Sequence, residues 1–288
     1  MRSAFEKYNP WTYLVYLIGS IILAMTLWHP LFLTIGIILT ISLHLVVDRG
    51  KMLSSFLGFY IGISLVTALL NPLLSHRGAT ILFYLNDQCI TLEAFLYGII
   101  MGLSLFLILC IFSLYQCVIS SDKLMYLFCR RLPRLTLVLM LSLRMVPLLK
   151  NRIEMIREVQ LSQGICLEKG KLRARSQTAM ENLNTLVGWS LEEVMQSARS
   201  IRSRGYGVKK KRSFYFKYHI EKRDIIIMSV EIILVMSIIA LWKQGGYTFF
   251  PRTNLEIDGV YTKLILVGYV AYMSIPLLIE GWECCKWR

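Results

Sequence analysis

Six stretches of almost unbroken apolar sequence, each close to the length of a bilayer-crossing helix, decide what this chain can fold into. A soluble core rarely hides runs of that length, whereas a bilayer requires about 20 predominantly apolar residues per helical crossing. Inside a membrane each backbone amide must find its partner within its own segment, so such runs are expected as helices. Read with a window of about 19 residues, they cover 11–28, 31–47, 52–70, 91–119, 225–242 and 260–279. Composition agrees, with 56% hydrophobic and only 17% charged residues among 288, where soluble domains carry roughly a quarter charged. The expectation is an all-α, polytopic membrane helix bundle of about six spans.

Short polar punctuation separates the runs. His29-Pro30 joins the first two spans in a tight helical hairpin, and Asn71-Pro72 is expected to stop the third, because proline cannot continue a helix. No small-residue cleavage site follows the first run, so it reads as a retained span. The chain divides into membrane helices 1–4 over 1–119, a polar helical segment over 120–224, and membrane helices 5–6 with a short tail over 225–288.

Positively charged loops stay on the cytoplasmic side. Placing the N-terminus there puts 28 of the 32 Lys and Arg on that side, leaving only Arg77, Lys243, Arg252 and Lys263 outside. Both termini and the long segment are therefore expected in the cytoplasm, in a multi-pass membrane protein.

The segment 119–224 is too polar to span and too apolar for a disordered tail. Ser121 and Asp122 offer helix caps. After Pro133 a helix is expected to carry Met145, Leu149, Ile153, Ile156 and Val159 on one face, and a second to carry Met180, Leu183, Val187, Leu191, Val194, Ala198 and Ile201. Pro147, just after Arg144, should kink or break the first. The two helices end alike, in Ser162-Gln163-Gly164 and Ser203-Arg204-Gly205. Each glycine suits a left-handed C-terminal cap, and a cation beside it suits the helix dipole. Two long helices with matching tips resemble prongs.

These stretches together resemble the transmembrane T component of energy-coupling factor (ECF) transporters, the family that includes the membrane subunit of cobalt importers. The likeness rests on Asn71-Pro72-Leu73 through Thr80, Thr91-Leu92-Glu93-Ala94, Ser121-Asp122-Lys123-Leu124, Leu143-Arg144-Met145-Val146-Pro147, and Trp189-Ser190-Leu191-Glu192-Glu193 through Gly207, and covers most of 48–212. It implies coupling helices whose small-Arg-small tips dock into two cytoplasmic ABC ATPases, while the membrane helices hold a substrate-binding S component for vitamin or metal-ion uptake. On that carry-over Ser203, Arg204 and Gly205 form one docking tip and Ser162, Gln163 and Gly164 the other. Gln163 departs from the family pattern, which has arginine there, so that tip keeps hydrogen bonding but lacks charge.

Other signals are sparse. Gly50-Lys51-Met52 and Gly170-Lys171-Leu172 lack the Ser or Thr of a phosphate loop, so ATP hydrolysis is expected from partners and no cofactor is expected here. His29, His44, His76 and His219 lie far apart, and the seven cysteines have no CxxC spacing, so no metal site is expected; His44 reads as a packing residue. Lys209, Lys210, Lys211 and Arg212 precede a span by about a dozen residues and read as a lipid-headgroup cluster rather than a nucleic-acid site. Glu231 sits within an apolar run, where a carboxylate either meets a neighbouring helix or partner, or lies near enough to the interface to snorkel or stay protonated. A membrane enzyme working near the bilayer interface is the alternative to a non-catalytic scaffold, but no paired acid and base stands at a workable spacing. A bare channel would need polar residues along several spans.

Overall fold

The computed structural model describes residues 9–74, 80–85, 88–129, 132–164, 172–208, 221–245 and 260–286. In chain order these form α1 (Pro10–Thr26), α2 (Pro30–Asp48), α3 (Lys51–Leu74), a hairpin of β1 (Ile81–Leu85) and β2 (Gln88–Thr91), α4 (Leu92–Val118), α5 (Ser121–Cys129), α6 (Pro133–Ser162), α7 (Leu172–Ser203), α8 (Lys222–Gly245) and α9 (Val260–Lys286). Two compact units result, one of Met1–Leu124 with Tyr218–Arg288 and one of Met125–Lys217. The chain is a polytopic helical membrane protein. Five helices, α2, α3, α4, α8 and α9, are long and apolar enough to cross a bilayer, and α1 is a shorter apolar helix of 17 residues.

Local chemistry sets the helix starts. Asn9 accepts from the Trp11 amide at 3.2 Å, His29 Nδ1 from the Leu31 amide at 3.3 Å, and Thr91 Oγ1 from the Ala94 amide at 3.4 Å, each supplying an acceptor to an amide that lacks one inside its helix. Pro10 and Pro30 open α1 and α2, where proline's missing amide costs nothing.

Pro72 does not end the third helix, which runs on to Leu74. A proline in the final turn removes one amide and crowds the carbonyl four residues earlier, here that of Ala68. That carbonyl faces Gly98 of α4, where no Cβ obstructs it, and the Ser64 carbonyl faces Gly102 in the same way. Gly98 and Gly102 form a small-xxx-small stripe that brings the α3 backbone close. The Asn71 amide also donates to the Ala94 carbonyl at 3.5 Å. The part of the 71–80 stretch at 75–79 lies outside the described residues.

The core of this first unit gathers α1, α2, α4, α8 and α9 around two tyrosines of α9. The Tyr272 hydroxyl donates to the Tyr16 carbonyl at 2.8 Å, and its ring stacks on Tyr16 with centroids 5.3 Å apart. Tyr272 occupies the space over Gly19 of α1, and Tyr269 the space over Gly36 of α2. His44 is fully buried with Nε2 donating to the Cys110 carbonyl at 3.0 Å, a packing role. Glu231 is 1% exposed, so its side chain lies inside the helix bundle and does not snorkel. The β1–β2 hairpin, paired antiparallel from Ile81 with Thr91 to Leu85 with Gln88, is a small addition to a helical fold.

Candidate functional site

The second unit is built on α6 and α7. Pro147 does not break α6, which is continuous over 30 residues. Along the pair, Gln160 and Asn182 exchange hydrogen bonds through their side-chain amides, with Asn182 Nδ2 donating to Gln160 Oε1 at 3.1 Å. Further along, the Arg152 guanidinium lies 4.0 Å from the centre of the Trp189 ring. Position falls on α6 as it rises on α7, so the helices run antiparallel.

The expected stripe on α7 is one face, but it meets α6 only at its end, where Val194, Ala198 and Ile201 line a groove with that helix. Met180, Leu183, Val187, Leu191 and Val194 are 51–67% exposed. α7 turns a neighbouring face inward, through Asn182, Leu186 and Trp189. Hydrophobic period identifies a face, not what covers it. On α6, Ile153 and Val159 are likewise exposed, whereas Met145 lies in the groove between the helices.

Both expected tips are formed at the ends of this pair. Gly164 has φ +80° and Gly205 φ +81°, the left-handed conformation that a side chain disfavours. At the second tip the Gly205 amide donates to the Arg202 carbonyl at 3.0 Å and the Tyr206 amide to the Ile201 carbonyl at 3.2 Å. These two bonds define a Schellman cap, which satisfies carbonyls that the ending helix would leave unpaired. At the first tip the Gly164 amide donates to the Leu161 carbonyl at 3.0 Å, the matching inner bond of such a cap. Ser162, Gln163, Gly164, Ser203, Arg204 and Gly205 are all exposed.

The tips do not point the same way as prongs would. Because the helices are antiparallel, the first tip lies beside the beginning of α7 and the second at its end. About 25 residues of α7 separate these levels, roughly 37 Å at 1.5 Å per residue. That exceeds the diameter of a small domain, about 30 Å, so one small domain cannot fill both ends. The tips differ in charge as well. The last turn of α7 carries Arg202 whereas that of α6 has no basic residue.

Elsewhere, Lys123 is 5% exposed with its ammonium 6.0 Å above the Tyr13 ring. The side chains of Ser121 and Asp122, and the basic cluster at 209–212, lie outside the described residues. Sequence reasoning missed the Gly98/Gly102 stripe, legible as Gly-x-x-x-Gly in an apolar run. It also missed the hairpin, signalled by Ile81-Leu82-Phe83-Tyr84-Leu85 before Asn86-Asp87.

Spans of this kind, joined to a separate unit with exposed, glycine-capped helix ends, define a polytopic helical membrane protein. Residues 2–215 match the family profile CbiQ, cobalt transport protein, and the chain belongs to that family. It is thus a membrane component of a cobalt or ECF-type transporter. No curated protein matches the chain.

Proposed function

We propose that this chain is the non-catalytic scaffold subunit of an ECF-type importer, coupling ATP binding and hydrolysis on two cytoplasmic ABC ATPases to the movement of a membrane-embedded S component. The observation that carries this reading is the pair of exposed, glycine-capped helix ends at opposite extremes of one antiparallel pair. Their separation suits two partner subunits, one at each end. Ser203, Arg204 and Gly205 dock one ATPase, and Ser162, Gln163 and Gly164 the other. The arginine supplies charge-assisted hydrogen bonds to acidic or carbonyl groups, and the glycine lets the partner backbone approach.

When nucleotide moves the ATPases, the capped ends follow, and α6 and α7 carry the displacement toward the S component as rigid elements. The segment 119–224 and both termini lie in the cytoplasm, as the distribution of Lys and Arg favours. The substrate is a vitamin or metal ion chosen by the S component.

Arg204→Glu tests the reading. Uptake and co-purification of an ATPase should be lost while membrane insertion and expression stay normal. Unchanged uptake and unchanged co-purification would remove the docking role.

A further inference from the structure

α6 and α7 enclose an open apolar groove of about 660 Å³ on the Arg204 half of the pair. Leu137, Leu141 and Met145 of α6 and Val194, Ala198 and Ile201 of α7 line it. Arg144 and Arg202 also line it, both exposed and neither ion-paired among the described residues. We propose that this groove binds one anionic phospholipid, with an acyl chain on the apolar floor and the phosphate between Arg144 and Arg202.

Three observations favour this occupant. First, the lining joins aliphatic side chains to two cations, matching a molecule with a long hydrocarbon and a negative head. Second, the unit spanning 125–217 holds 19 Lys and Arg against 6 acidic residues, +13 of the chain's net +14. Its field thus collects anionic lipid over zwitterionic lipid. Third, α6 begins 15 residues after the α4 span ends. Its first half exposes Leu135, Val138, Leu139, Met140 and Leu143 at 48–57%. An apolar stretch of that length, too short to span, marks a segment lying in the membrane interface. The groove thus opens along a helix that lipid can wet. Glu193 also lines the groove, and its carboxylate lowers the preference for an anion without reversing the balance of two arginines.

The experiment is native mass spectrometry of the full chain in mild detergent, titrated with dioleoylphosphatidylglycerol or dioleoylphosphatidylcholine. One phosphatidylglycerol should bind at least about tenfold more tightly than phosphatidylcholine, the scale expected when two arginines face a headgroup of net negative charge instead of one whose phosphate is balanced by its own choline. Arg144→Gln with Arg202→Gln should abolish that preference while leaving weak phosphatidylcholine binding. Ala198→Trp, which fills the exposed floor, should lose both lipids. Equal affinity for the two lipids would overturn the proposal, as would phosphatidylglycerol retained unchanged in either variant. Displacement by inorganic phosphate at millimolar concentration would show a bare anion site, and a photocrosslink from position 198 of the assembled transporter to a polypeptide would assign the groove to a protein. Either result overturns the lipid assignment.

Discussion

The same added methyl group should have opposite effects at two glycines of the second unit. At Gly205, φ is +81° and an added Cβ meets nothing within 4 Å, so Gly205→Ala introduces no steric overlap with neighbours. Its cost is the left-handed backbone itself, about 1–2 kcal/mol for an L residue. The gain from a stiffer unfolded chain offsets part of this, about 0.4–1 kcal/mol, leaving a net loss of roughly 1 kcal/mol. At Gly188, in the middle of α7, a Cβ also meets nothing within 4 Å, and alanine should favour the helix by about 0.5–1 kcal/mol. Hydrogen exchange on the full chain in detergent reads both. The amides of Arg204, Gly205 and Tyr206, which donate to the carbonyls of Ser200, Arg202 and Ile201, should exchange about fivefold faster in Gly205→Ala, since 1 kcal/mol is about that factor. Amides around position 188 should exchange more slowly in Gly188→Ala. Gly205→Asn should fall between wild type and alanine, because asparagine tolerates the left-handed region better. Shifts of the same sign in both alanine variants, or no change at Gly205→Ala, would refute the cap as the element that orders the tip.

Gly19→Ala should destabilise the bundle by about 1–3 kcal/mol through overpacking, since the new Cβ would fall on the Tyr272 hydroxyl and 3.0 Å from Val235; adding Tyr272→Phe should restore part of the thermal stability, and no restoration would refute the contact. Burial holds the His29 imidazole below its ordinary pKa, so its contribution to stability is complete above about pH 6.5 and is lost as pH falls through the lowered folded value, where protonation also removes the Nδ1 acceptor for Leu31. Melting temperatures followed from pH 8 to 5 should drop less in His29→Asn, which keeps a cap, than in wild type. Arg152→Ala should cost about 0.5–1 kcal/mol through the lost stacking on Trp189, measurable as faster exchange where α6 and α7 pair, and Arg152→Lys should recover only part of it.

The spans and the capped tips were legible because each depends on local sequence: a run of apolar residues long enough for a bilayer, or a glycine at the point where a helical period stops. Pro72 misled because a proline ends a helix only when nothing accommodates the carbonyl it crowds, and Gly98, 26 positions on, provides that room. The matches of Gly19 with Tyr272 and Gly36 with Tyr269 join positions more than 200 residues apart, and no periodicity carries such information. On α7 the period announced an apolar face correctly, yet only its end, Val194, Ala198 and Ile201, borders α6, and earlier along the helix an adjacent face through Leu186 and Trp189 does so. A single chain's pattern does not say which apolar face another molecule covers. The opposed directions of the tips were hidden for a related reason, since the pairing of Gln160 with Asn182 and Arg152 with Trp189 appears only once the chain doubles back.

That doubling back, with arginine at one extremity and glutamine at the other, makes the rod polar in the sense that a magnet is polar. On the docking proposed above, the two ATPases would occupy unlike berths, one gripped through charge and one through neutral hydrogen bonds. Rising ionic strength would then weaken the Arg204 berth first and leave the Gln163 berth comparatively untouched, so the machine would come apart from one side.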